Sequence, residues 1–160
     1  MLTQEVLKQQ LSYDETTGVF RRLVTNTNHV KAGDVAGTKK DSGYVTIMVC
    51  GRIYQAHRLA WLYVHGVWPT KVIDHINGVR DDNRICNLRD VSSRVNAQNV
   101  RRSTVKSVTG MLGAHPYQGK FVSSNTANGV NHYLGYFNTA IEAHEAYLAA
   151  KRRLHEGCTI

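Results

Sequence analysis

Between residues 72 and 99 the chain runs VIDHINGVRDDNRICNLRDVSSRVNAQN, and this segment limits the local architecture more than any other. Val72 and Ile73 are β-branched and favour extended backbone, and they lead directly into Asp74-His75. Asn77-Gly78 is a dipeptide that readily turns a strand back on itself, and Ser92 or Ser93 can cap a short helix over 92–100. The order predicts a ββα unit, with Asn87 before the helix and Asn96 on it. Adjacent side chains on a strand point to opposite faces, so Asp74 and His75 serve one site only if the chain bends there, which the Asn-Gly turn makes reasonable.

Around this segment the periodicity changes several times. Val6, Leu7 and Leu11 predict a short helix over 3–11, and the glycines at 33, 37, 43 and 51 punctuate alternating runs that read as hairpins from Gly18 to His57. Residues 57–66 place Leu59, Leu62 and Tyr63 with Trp61 on a compact core helix ended by Gly66. RRSTVKSVTG, residues 101–110, is basic and lacks a large apolar group, so it reads as a linker. Strand-like runs at 111–117, 120–126 and 131–137 follow, split by Gln118-Gly119 and Asn128-Gly129. Thr139 and Glu142 then form a capping box for a helix with Ala140, Ala143, Tyr147, Ala150 and Leu154 on one face. The expected class is α+β: hairpins and a helix before a ββα core at about 70–100, all within domain 1–100, a basic linker at 101–108, and a three-stranded antiparallel sheet on one helix at 109–160.

A chain of 160 residues holds one ordinary domain or two small ones. Lys and Arg number 20 against 12 Asp and Glu, so the net charge of +8 favours a polyanionic partner, nucleic acid ahead of anionic membrane. Asp74, Asp81, Asp82 and Asp90 nevertheless gather in one short stretch, a first hint of a bound cation. No apolar run approaches the roughly 20 residues of a membrane span, and MLTQEVLKQQ lacks the basic start and apolar core of a signal peptide. A cytoplasmic location is expected. Cys50, Cys86 and Cys158 include no CxxC pair, so they read as free thiols and no structural zinc is expected.

Phosphodiester hydrolysis needs a cation to hold phosphate oxygens and a base that takes a proton from water near neutral pH. His75 and Asp74 can supply one each. The imidazole needs an acceptor to orient its other nitrogen, a role open to the Asn87 side chain or a backbone carbonyl. A hard cation would accept Asp74 and the Asn96 amide oxygen, leaving positions for water and phosphate. The plainer alternative makes Asp74 a turn cap, His75 a surface residue, and both asparagines satisfiers of loop backbone. Of the surrounding arginines 80, 84, 89 and 94, Arg84 and Arg89 are the better candidates for phosphate contact, although some of the four are expected to pair with local aspartates. His57 and His65, on or beside an apolar helix, read as structural.

IDHINGVRDDNRICNLRDVSSRVNAQN resembles the HNH endonuclease motif in its phage form, whose third member is Asn. The resemblance extends upstream through YDETTGVF, AGDVAG and GYVTIMVCGRIYQAHRLAWLYVHGVWP, so it covers essentially residues 11–100. It is similar to phage intron-encoded homing endonucleases, several of which nick one strand. It implies His75 as general base, Asp74 and Asn96 as ligands of one Mg²⁺ or Mn²⁺, and Asn87 as the tether of the loop that orients His75. It also implies a ββα-metal nuclease that acts on double-stranded DNA, leaves 5′-phosphate and 3′-hydroxyl ends, and is encoded by a phage or prophage in a bacterial host. A single such unit acts as a monomer or weak homodimer, with no membrane partner.

Residues 109–157 resemble the Apetala-type DNA-binding domain of plant ethylene-response factors, a form also appended to phage HNH enzymes, through Gly113, Gly119-Lys120-Phe121, Leu134-Gly135-Tyr136-Phe137 and the alanine-faced helix. The resemblance implies a sheet that enters the major groove. With Phe121 and Leu134 taken as inward, His115, Tyr117, Ser124, Asn131 and Tyr133 fall on the DNA face, joined by Lys120 and the basic residues Arg101, Arg102 and Lys106. Plant members commonly have Arg or Trp at several of the sheet positions, so the bidentate Arg-to-guanine contact is missing here. The competing functions are a noncatalytic DNA-binding protein that uses the HNH unit as scaffold, and a protein that binds or cleaves RNA.

Overall fold

The computed structural model describes residues 1–25 and 29–160, so residues 26–28, within the expected hairpin stretch, lie outside the described residues. It is mixed α and β, with several small antiparallel sheets, and its contacts divide it into two units, Met1–Ser92 and Ser93–Ile160.

The first unit opens with helix α1 (Gln4–Gln10), whose start is fixed by Thr3 Oγ1 accepting from the Val6 N–H. Strands β1 (Leu11–Asp14) and β2 (Val19–Arg22) form a hairpin, and β3 (Thr38–Lys39), β4 (Val45–Val49) and β5 (Arg52–Gln55) a three-stranded sheet. The β4–β5 turn has Cys50 at φ 49° and Gly51 at φ 74°, the pair of left-handed residues that a two-residue hairpin requires. Helix α2 (Ala56–His65) ends at Gly66, in the left-handed region with its N–H on the Leu62 carbonyl at 3.0 Å. Its Ala56, Leu59, Ala60 and Leu62 are buried at helical spacing, and the core they enter includes Leu7, Leu11, Phe20 and Ile47. Burying a side chain of that size contributes about 1.5–3 kcal/mol, so this cluster anchors the unit.

Strands β6 (Val72–His75) and β7 (Leu88–Val91) pair antiparallel, with Asp74 opposite Arg89 and His75 opposite Leu88. Ile73 and Leu88 belong to the buried cluster and seat this hairpin on the core. The β1–β2 hairpin supports the long β6–β7 connection: the Tyr13 hydroxyl donates to the Asn83 carbonyl at 2.7 Å, and a Cβ on Gly18 would meet the Arg84 nitrogen at 2.5 Å. Glycine is therefore required at 18 by space as well as by its φ of 72°.

The second unit begins with helix α3 (Ser93–Gln98). Strands β8 (His115–Tyr117), β9 (Lys120–Ala127) and β10 (Val130–Phe137) form an antiparallel sheet, followed by helix α4 (Ala140–Leu154). β8 starts at His115 rather than at 111 because Gly110 and Gly113 take φ values of 67° and 69°, which turn the chain instead of extending it. A Cβ at Gly113 would lie 2.1 Å from the Tyr147 ring, so α4 packs hard against that turn. The capping box is complete: Thr139 Oγ1 accepts from the Glu142 N–H while the Glu142 carboxylate accepts from the Thr139 N–H. Ala143 and Ala150 are buried with Ser123, Asn125 and Ala127 of β9.

The contact division after Ser92 precedes the expected linker because the residues around α3 bond to the chain's last turn. Gly157 N–H donates to Gln98 Oε1 at 2.8 Å, Arg101 Nη2 donates to the Thr159 carbonyl at 2.7 Å, and Lys151 Nζ donates to the Val100 carbonyl. No described helix is long and apolar enough to cross a membrane.

Candidate active site

The connection from β6 to β7 is fixed by one side chain. Asn87 Oδ1 accepts from the Asn77 N–H at 2.9 Å, its Nδ2 donates to the Asp82 carbonyl at 2.8 Å, and its own carbonyl accepts from the Ile76 N–H at 2.8 Å. These bonds staple both halves of a twelve-residue excursion onto the start of β7. Asn87 is 6% exposed, so each bond is made away from water and its loss leaves a buried polar group. Asn77 continues the staple by donating to Asp82 Oδ2 at 2.6 Å and accepting from the Val79 N–H at 2.8 Å.

This staple holds the end of β6, where Asp74 is 6% and His75 5% exposed. The Asp74 carboxylate faces its cross-strand partner: Arg89 donates to Oδ2 from Nε at 2.9 Å and from Nη2 at 2.7 Å. The His75 ring meets His57 edge to face, with centroids 5.1 Å apart, and Tyr44 at 5.9 Å. Arg80 covers the other aromatic wall, its guanidinium 5.1 Å from the Tyr44 centroid and its Nη1 on the Ser42 carbonyl at 2.8 Å.

Burial holds the His75 imidazole below its ordinary pKa, against the opposing influence of the Asn83 side chain and of the Asp74 and Asp82 carboxylates. Burial also lowers His57, to about 4, with smaller contributions from His75 and Arg58. Two neighbouring imidazoles are thus both neutral at pH 7. A neutral, buried imidazole beside a carboxylate can accept a proton from a water molecule.

The other aspartates of the segment have structural partners. Arg84 grips Asp82 through Nε and Nη2 at 2.7 and 2.6 Å, which with Asn77 brings the Asp82 pKa down to about 2. Lys39 pairs with Asp81 at 2.6 Å, and Asp90 accepts from the Thr70 and Lys71 N–H groups at 2.9 Å. Among the described residues no group of three or more His, Cys, Asp and Glu gathers to hold a metal. Of the two expected ligands, Asp74 is likewise engaged, by Arg89 in the first unit, and Asn96 lies on an exposed part of α3 in the second unit. By donor type, a carboxylate oxygen and an amide oxygen are both hard ligands of the kind Mg²⁺ or Mn²⁺ accepts.

The structure brings Asp74, His75 and Asn87 together in the first unit. It uses the side chain of Asn87 to bind loop backbone, so of the two acceptors considered for His75 this side chain is already engaged. Arg84 and Arg89, expected at phosphates, reach Asp82 and Asp74, and Arg101 is tied to Thr159. Arg102, Lys106 and Lys120 are exposed, as are His115, Tyr117, Asn131 and Tyr133, while Ser124 is half-buried. Sequence reasoning missed Tyr44 and Asn83, and it read His57 as structural without placing it beside His75. The three reach His75 from the approach to β4, from the β6–β7 connection and from the start of α2, and no spacing rule links such positions. Tyr136 was also missed, although a signal existed: a glycine inside a strand, Gly135, marks a bulge.

Residues 54–98, from β5 through α3, match the family model of the HNH endonucleases. No curated protein and no solved structure matches the chain. The family match supports an HNH nuclease, and the matched segment contains all four residues of the Asp74, His75, Asn87 and Asn96 set.

Proposed function

We propose that the protein is a divalent-metal-dependent DNA endonuclease, a phage homing or nicking enzyme that hydrolyses phosphodiester bonds in double-stranded DNA to 5′-phosphate and 3′-hydroxyl ends. The observation that carries this reading is the buried, neutral His75 beside Asp74 at the end of β6, its loop stapled by Asn87, within the segment that matches the HNH endonucleases. β6, β7 and α3 are read as the ββα-metal unit.

In this reading His75 takes the proton from the attacking water. Its lowered pKa keeps a large neutral fraction at pH 7, which a base requires. Asp74, with the Asn96 amide in the role the motif gives it, would hold one Mg²⁺ or Mn²⁺. When bound, that ion polarises the phosphate and stabilises the leaving oxygen. Asn87 keeps the His75 loop closed, Arg89 offsets the buried charge of Asp74, and His57 and Tyr44 wall the imidazole off from bulk water. Exposed Arg102 and Lys106 supply phosphate contacts that position the duplex.

Plasmid incubation with Mg²⁺, with Mn²⁺ and with EDTA, followed by gel electrophoresis, tests the reading. The expected result is conversion of supercoiled to nicked or linear DNA with either metal and none with EDTA. Retardation without cleavage under all three conditions would leave a noncatalytic DNA-binding protein.

A further inference from the structure

Three tyrosines stand exposed on one face of the second unit's sheet. Tyr117 is 46%, Tyr133 59% and Tyr136 57% exposed, and Tyr136 lies 5.8 Å, centroid to centroid, from each of the other two. Simple alternation along β10 would put Tyr133 and Tyr136 on opposite faces. The pairing with β9 shifts between Tyr133 and Gly135, so Leu134 is the extra residue of a bulge, and Tyr133 opposite Ser124 and Tyr136 opposite Val122 return to the same face. The other face buries Ser123, Asn125 and Ala127 with the alanines of α4. The tyrosines therefore belong to no core of the described unit.

The charge of the sheet limits what can cover them. β8, β9 and β10 contain no Asp or Glu, and Lys120 is their one Lys or Arg, beside the histidines His115 and His132. They contain no Arg either, so the planar fork that reads guanine edges in the major groove is absent. What remains is a set of aromatic rings, hydroxyl and amide groups from Ser124 and Asn131, and a cation for a phosphate. Tyrosine rings offer stacking to the faces of bases, and those faces are accessible only where bases are unpaired. Lys120 and the absence of carboxylates make the face compatible with a polyanion.

We propose that this face, Tyr117, Tyr133 and Tyr136 with Lys120, binds single-stranded DNA by stacking its unpaired bases. It rests on the DNA reading of the proposed function but not on catalysis. In a nicking enzyme such a face holds the strand that is melted or displaced at the site, while other basic residues hold the duplex.

The test measures fluorescence anisotropy of labelled oligo(dT), of a blunt duplex and of oligo(rU) with the full chain in EDTA, so that no cleavage intervenes. Tyr133→Ala and Tyr136→Ala should each weaken oligo(dT) binding about fivefold or more, with a clearly smaller change for the duplex, and Tyr133→Phe and Tyr136→Phe should retain most of the affinity. Circular dichroism confirms that the variants fold, as expected for exposed positions. Three outcomes overturn the proposal: no loss on oligo(dT); equal losses on oligo(dT) and duplex, which would make the face a duplex reader; or tighter, tyrosine-dependent binding of oligo(rU), which would make the ligand RNA. Absence of plasmid cleavage would refute the nuclease reading and leave this binding result standing.

Discussion

His75 and Tyr133 are both polar aromatic side chains on short antiparallel strands, yet His75 is 5% exposed and Tyr133 59%. The difference follows from what surrounds each strand. β6 runs into a loop whose amide groups Asn87 satisfies, against a core that includes Ile73 and Leu88, so the imidazole is desolvated and held neutral. β10 has one half-buried face towards α4 and the other open to solvent, and its bulge gathers rings there instead of burying them. Chemistry at a single atom needs a fixed, dry group, whereas contact with a long polymer needs area. In the proposed reading the first unit serves the former and the sheet of the second the latter.

The sharpest way to break this contrast is to remove the base. His75→Ala should lower cleavage about 10²- to 10⁴-fold while DNA retention on a gel is preserved, because proton transfer is lost and phosphate contacts are not. In the parent chain the acidic limb of the cleavage rate should lie below pH 6.5, since the pKa of His75 is lowered from that value. Unchanged turnover in the alanine variant would remove His75 from the mechanism.

His57 tests whether desolvation is the property that separates the units. Its pKa is lowered from 6.5 to about 4 on folding, so between those values the unfolded chain binds a proton that the folded chain refuses. Stability from this group is complete above pH 6.5 and is lost as pH falls towards 4, a difference on the order of 3 kcal/mol. His57→Phe keeps an aromatic ring against Tyr44 and His75 and should flatten the fall in denaturant midpoint over that range. An equally steep fall would place the acid sensitivity elsewhere.

Asp74→Asn probes the charge and not the shape of the site. It should raise the Mg²⁺ or Mn²⁺ concentration for half-maximal cleavage by at least the roughly tenfold that loss of an outer partner of a metal costs. A superimposable titration would show that the cation is held without Asp74. The engagement of Asp81, Asp82 and Asp90 with Lys39, Arg84, Thr70 and Lys71 makes them poor substitutes.

Local signals were readable where a residue's neighbours in the chain decide its structure. The Asn77-Gly78 turn, Gly66 ending α2, and the Thr139–Glu142 capping box all depend on backbone within a few residues. The adjacency of Asp74 and His75, with Asn87 close behind, was readable for the same reason. Long-range partners were not. His57 reaches His75 across the fold, and the tie of Arg101 to Thr159 joins the two ends of the second unit. Alternation along β10 breaks at Leu134 because one extra residue reverses every later position, and this brings Tyr136, to which the sequence reading assigned no face, beside Tyr133.

The smallest predicted effect separates the units most cleanly. Thr139 satisfies the Glu142 N–H at the start of α4 and receives the Glu142 carboxylate in return, all within the second unit. Thr139→Ala should cost about 1 kcal/mol, the usual value of an N-cap. That loss should appear as a lower Tm for α4 and its sheet, read by the near-ultraviolet signal of the tyrosines they carry. The His75 imidazole depends on burial, Asn83, Asp74, Asp82 and Arg80, all groups of the first unit, so its titration followed by NMR should not move. A shifted His75 pKa would mean that the two units respond as one, and that the dry site and the open sheet are not independent devices.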